Sequence, residues 1–167
     1  MEDLEEWRDI IEFPGYAVSS HGRVWNTDYD RLKIASTNQA GVLNVLLIKD
    51  GLQYRRSVPV MVAKAFLPTP RYKHFNTLIH LDGDRTNCNV ENLAWRPRWF
   101  SIKYHQQFKP GAARGFKCPV EEVQSQEVFD TSWQAATKYG LLDTDILVAT
   151  MNQTYVFPTG QRFRVLD

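Results

Sequence analysis

The sequence predicts an α+β chain assembled from consecutive small modules, and three observations carry that expectation. Short apolar runs are broken by Pro14-Gly15, His21-Gly22 and Asp50-Gly51, pairs that end strands and close tight turns. Residues 77–95 open as an apolar strand and continue into a polar segment with a helix-capping residue. Beyond residue 130, two helical patterns follow one another across the short break Gly140-Leu141-Leu142.

Taken in order, residues 5–25 read as short strands separated by the Pro14-Gly15 and His21-Gly22 turns, with Tyr16, Val18 and Val24 on a half-buried face. The aromatic residues there are expected to pack a small core, and Arg23 is placed where it can touch phosphate. Residues 41–48 and 52–60 flank Lys49-Asp50-Gly51 and predict a second hairpin. Residues 61–66 follow as a short helix, for which Pro59 is a good starter, and Leu67-Pro68 ends it. The loop 71–76 carries Arg71 and Lys73 beside His74, and a histidine there, like His21 and His105, is by default a solvated surface group.

The stretch 77–95 is where chemistry concentrates. A strand delivers His80 at its end, Asp82-Gly83 favours a tight hairpin turn, and Asn89 is the expected N-cap of a helix of one to three turns. His80, Asn87 and Asn92 are thereby brought toward one another. Phosphodiester hydrolysis needs a base for water and a cation for the phosphate. Neutral histidine suits the first task near pH 7, and an amide oxygen such as that of Asn92 is a hard ligand for the second.

Residues 96–117 contain Arg96, Arg98, Lys103, Lys109, Arg114 and Lys117 and no acidic residue, interleaved with aromatics. They predict a helix near 98–108 and then an extended cationic linker, of the kind that lies along a DNA groove. Residues 120–129 read as a hairpin. The stretch 130–140, a capped helix with a glycine stop, and a second helix from Asp143 then give a helix-turn-helix outline, with Ala135, Ala136, Tyr139, Ile146 and Leu147 as its packing face. Gln134 and Thr144 are candidate DNA contacts, and Asp143 and Asp145 are expected to face phosphates unfavourably unless they accept from cytosine amino groups.

At 167 residues, with 43% hydrophobic and 23% charged residues, the composition is that of a soluble globular protein of one domain or a few small modules. No apolar run approaches a membrane span, and the acidic start Met1-Glu2-Asp3 is unlike a signal peptide, so an intracellular, membrane-free protein is expected. Cys88 and Cys118 lack CxxC spacing and read as reduced thiols. The net charge of +1 conceals an uneven distribution. Residues 1–12 hold six acidic side chains, whereas residues 51–117 hold twelve Lys or Arg against Asp82, Asp84 and Glu91. The middle of the chain therefore suits a polyanion, and the acidic start is either a solvated face or a brake on binding.

The letters His80-x-Asp82-Gly83-Asp84, then Asn87, then Glu91-Asn92-Leu93-x-Trp95 resemble the ββα-metal core of the HNH nucleases. The preceding Trp, Ile, Gly-Tyr, Val-Ser and Gly-x-Val resemble the N-terminal segment of phage and intron-encoded HNH homing endonucleases, and the C-terminal helices their repeat module. The resemblance implies an elongated monomer with an N-terminal β module at 1–57, an HNH core at 58–100, a cationic helix and linker at 101–119 and a DNA-binding module at 120–167. It implies His80 as general base, Asn87 as the residue that pins the loop and Asn92 as ligand of one Mg²⁺ or Mn²⁺. Arg71, Lys73 and Arg85, with the cations of 96–117, are the expected contacts to double-stranded DNA. The implied activity is metal-dependent nicking or cleavage in the cytoplasm of a phage-infected bacterial host.

Two departures stand out. Ile79 occupies the place before the base where the family commonly has a second metal ligand, and Pro59 stands where a histidine is usual. The alternative is therefore a catalytically impaired relative that acts as a DNA-binding regulator or as an adaptor to a host or phage protein. RNA binding by the same cationic surface is a third reading.

Overall fold

The computed structural model describes residues 4–166, so the acidic residues Glu2 and Asp3 lie outside the described residues. The chain is a mixed α+β structure and divides into two compact units, one running to His80 and resuming over Asp84–Trp95, the other containing Leu81–Gly83 and everything from Arg96 onward.

In the first unit, β1 (Trp7–Asp9), β2 (Tyr16–Ser19), β3 (Val24–Asn26) and β4 (Arg31–Leu32) form an antiparallel sheet in chain order. The turns fall at the expected Pro-Gly and His-Gly pairs. A second antiparallel sheet contains β5 (Ser36–Thr37), β6 (Leu43–Lys49) and β7 (Leu52–Ser57). Asp50 and Gly51 join β6 to β7 with φ of 53° and 75°, the two positive values that a type I′ turn requires. The helix α1 (Val58–Phe66) begins earlier than residue 61 because Pro59 occupies its first turn, where its missing N–H costs nothing. Then β8 (Thr77–His80) pairs with β9 (Leu93–Arg96). Phe13, Tyr16, Val24, Leu47, Val62 and Leu78 bury themselves in one core together with Cys88 and Leu93. The aromatic Tyr16 is thus core, as its alternation suggested.

Two of the described acidic residues near the N-terminus neutralise cations of their own unit. Glu5 pairs with Arg23, and Glu12 accepts from Lys64 at 2.7 Å. Arg23, hydrogen-bonded to Glu5, holds that carboxyl down at about 2.

The second unit opens with α2 (Arg98–Gln106) and contains a three-stranded sheet in the order β11 (Val128–Phe129), β10 (Val120–Glu122), β12 (Phe163–Val165). Two helices, α3 (Ser132–Tyr139) and α4 (Asp143–Met151), lie on either side of Gly140-Leu141-Leu142. Thr131 caps α3 by accepting from Gln134 N, and Gly140 ends it in the left-handed region with φ of 65°. Ala135, Ala136 and Ile146 are buried with Val120, Leu141 and Phe163, and Tyr139 packs against them. Among the described residues, no helix is long and apolar enough to cross a membrane.

Two expectations need correction here. Asn89 does cap, accepting from Glu91 N at 3.0 Å, but the segment it opens is a single 3-10 turn, Val90–Asn92, and Leu93 already belongs to β9. The helix that follows the strand pair is α2. Asp143 faces no phosphate: it is buried and accepts from Gly115 N at 2.8 Å and from the Ser132 hydroxyl.

Candidate active site

The site is built from the loop between β8 and β9. Leu78, Ile79 and His80 are all buried, so the strand brings the imidazole to its end within the unit, with 3% of His80 exposed. Beyond it the loop is held by a chain of local bonds. Asp84 accepts from Thr86 through both the backbone N–H, at 2.9 Å, and the hydroxyl, at 2.7 Å, while its carbonyl accepts from Asn87 N at 3.2 Å. Those Thr86 bonds, aided by the nearby His80, hold the Asp84 carboxyl below its usual range. Asn87 Oδ1 accepts from Asn89 N at 3.3 Å, an Asx turn, and Asn87 O accepts from Asn92 Nδ2 at 2.9 Å. The two asparagines are therefore directly joined, and it is the Asn92 amide that braces Asn87.

The loop also rests on the first sheet. Val90 N donates to Ser20 O at 2.8 Å, and Gly22, at φ 85°, faces Cys88 so closely that a Cβ there would stand 2.6 Å from that of the cysteine. Burial pushes the Cys88 thiol up to about 12, which leaves it as packing rather than as a nucleophile. Nothing in the letters Ser20 and Gly22 signals these contacts, because they are tertiary.

In the second unit, Gly83 has φ 79° and faces the ring of Phe108, so a side chain there would be strained twice. The Tyr104 hydroxyl donates to Leu81 O at 2.7 Å, an anchor that sequence reasoning missed.

The candidate cations separate into two groups. Arg71, Lys73, Arg98, Lys103, Lys109 and Lys117 are exposed. Arg85 is half-buried and reaches Ala40 O at 3.3 Å. Arg96 is buried, and its guanidinium donates to Gly140 O at 3.2 Å and Tyr139 O at 3.0 Å, the open carbonyls at the end of α3. Burial lowers its pKa to about 10. Arg114 lies 3.9 Å over the Trp133 ring and donates to Gln107 O at 2.6 Å. Arg96 is thus a structural cation, whereas Arg114 is exposed although held by the ring and the carbonyl. Gln134 is exposed but turned back on Asp130, accepting from its N–H at 2.9 Å, while Thr144 is exposed on the first turn of α4.

No protein-family model matches the chain. Over 94 residues it is 31% identical to the uncharacterized HNH endonuclease L247 of Acanthamoeba polyphaga mimivirus, covering 56% of this chain and 23% of that protein. It is 24% identical over 140 residues to the H-N-H endonuclease F-TflII of Escherichia phage T5, covering 81% of this chain and 70% of the phage protein. The chain is similar in sequence to HNH endonucleases of a giant virus and a phage. Its fold matches that of the HNH homing endonuclease I-HmuI, with a TM-score of 0.55 over 96% of this chain and 98% of that one, at 19% identity. The chain spans about a quarter of the length of the mimivirus HNH proteins L247 and L245.

HNH nucleases generally use a divalent ion. Among the described residues, no group of three His, Cys, Asp or Glu side chains is placed to hold a metal. The loop between β8 and β9 does contain oxygen donors of the hard kind, the Asn92 amide and the Asp84 carboxylate. An ion that keeps most of its waters and takes phosphate oxygens needs only one or two such donors, so the residues fit Mg²⁺ or Mn²⁺ better than a caged metal.

Proposed function

We propose that the chain binds double-stranded DNA as a monomer and nicks it, as a phosphodiesterase of the HNH homing type. The observation that carries this reading is the presentation of His80 at the end of β8 beside a loop braced through Asn87 and Asn92, in a chain similar in sequence to HNH endonucleases. His80 in its neutral form takes the proton from the attacking water. Asn87 and Asn92 hold the loop so that the imidazole keeps one orientation. Asn92, with Asp84, would hold Mg²⁺ or Mn²⁺, which supplies charge stabilisation for the phosphate and the leaving oxygen. Arg71, Lys73, Arg98, Lys103, Lys109 and Lys117 bind backbone phosphates, which positions the duplex without selecting sequence. One such site in a monomer cuts one strand per encounter.

A second reading is favoured by Ile79, which is fully buried directly before the base and has no atom to give a metal, and by the small exposure of His80. In that reading the chain is a DNA-binding regulator, or an adaptor to a host or phage protein, on an impaired nuclease scaffold. The test is conversion of supercoiled plasmid to open circles in Mg²⁺ or Mn²⁺, beside an EDTA control. Metal-dependent open circles support the first reading. Plasmid shifted on a gel but left supercoiled supports the second.

A further inference from the structure

The helix α4 has an exposed face that its packing does not explain. Ile146 and Ala149 are buried in the core of the second unit, while Val148 is 52% and Met151 72% exposed, and Thr144 is exposed one turn before Val148. Positions 144, 148 and 151 follow the i, i+4, i+7 spacing, so the three side chains share one stripe. One exposed methionine is ordinary, but an uncharged stripe along two turns contributes nothing to solubility.

The charged groups of α4 and its surroundings are directed elsewhere. Asp143 is buried against Gly115 and Ser132. Asp145 is half-buried, and Lys103 of α2 acts on its charge. Beyond the last turn, Arg162 lies 5.4 Å over the Tyr155 ring and donates to Gln153 O at 3.5 Å. A cation therefore stands near each end of a neutral stripe, on the second helix of a helix-turn-helix pair. Reading guanine takes Arg or Lys, and reading adenine takes Asn or Gln; Asp143–Met151 contains none of these. Reading the cytosine amino group takes Asp or Glu, but Asp143 is buried and Asp145 half-buried beside Lys103, so neither lies on the stripe. What the exposed stripe does fit is the thymine 5-methyl, which apolar side chains and the threonine methyl contact.

We propose that Thr144, Val148 and Met151 recognise thymine methyl groups in the major groove and bias the chain toward T-containing duplexes. This deepens the DNA-binding reading and rests on it. Lys103 and Arg162 would hold the flanking phosphates.

The experiment compares the full chain on three 24-base-pair duplexes: alternating dA·dT, the same duplex with deoxyuridine for thymidine, and alternating dG·dC. Removing one buried methyl weakens binding by roughly fourfold, so two contacted methyls predict about a fifteenfold preference for dA·dT over dA·dU. The Val148→Ser/Met151→Ser variant, changed only at exposed positions, is expected to bind dA·dT and dA·dU equally. Equal wild-type binding to both, with binding retained, overturns methyl recognition and leaves the DNA-binding reading intact. If no duplex binds, both fail. Equal binding together with self-association that the double variant abolishes assigns the stripe to a second copy of the chain and overturns the proposal.

Discussion

At the scale of single residues, Ile79 and His80 define what the site can do. Replacing Ile79 by Asp offers the loop a carboxylate but puts it where nothing is exposed, at a cost of about 3 kcal/mol. The expected outcome is faster nicking from a less stable protein, read by plasmid relaxation and urea unfolding on one preparation. Glu5 gives a pH signature. Its folded pKa of about 2 lies below the ordinary 4.5, so its contribution is fully present above pH 4.5 and is lost as pH falls toward 2. The melting temperatures of wild type and Glu5→Gln should differ at pH 7 and converge near pH 2. That His80, Asn87 and Asn92 share one strand and the loop after it was legible because they fall in one short stretch. The bond from Asn92 to Asn87 was not, because a sequence does not say which amide end faces which carbonyl. Asn92→Ala removes that bond and should lower stability by about 1 kcal/mol.

At the scale of elements, strand pairs and capped helices were readable wherever local chemistry and tertiary packing agree. The Asp50-Gly51 turn, the Pro59 start of α1 and the Gly140 stop of α3 are such places. They disagree after Asn89, where a good cap opens only a 3-10 turn because Leu93–Arg96 is claimed by pairing with β8. Asp143 shows the same limit: as the first residue of a helix it reads as solvent-facing, yet it fastens the linker to α3 and α4 through Gly115 and Ser132. Asp143→Ala leaves Gly115 N without its acceptor, while the Ser132 hydroxyl still reaches Phe116 O at 3.2 Å, and should cost about 1–3 kcal/mol. Hydrogen exchange at residues 115–116 should rise along with the loss of stability. An unchanged exchange rate there would show that the carboxylate does not hold the linker.

At the scale of the whole molecule, net charge is a poor guide and its placement a better one. A chain of charge +1 carries twelve cations within residues 51–117, and seven of its candidate phosphate contacts are exposed, six of them besides the Arg114 that lies over Trp133. Duplex affinity should therefore fall steeply and linearly on a logarithmic salt scale, with a slope near −5 if all six neutralise phosphates. Replacing Lys109 and Lys117 by Gln should reduce that slope by about two, measured by fluorescence anisotropy at several salt concentrations. The central claim, that His80 activates water on bound DNA, is tested most directly by plasmid nicking with wild type and His80→Ala at concentrations that shift the DNA equally. Open circles from the wild type and none from the variant are the predicted result. Equal nicking by both, or nicking by neither while both bind, would contradict it.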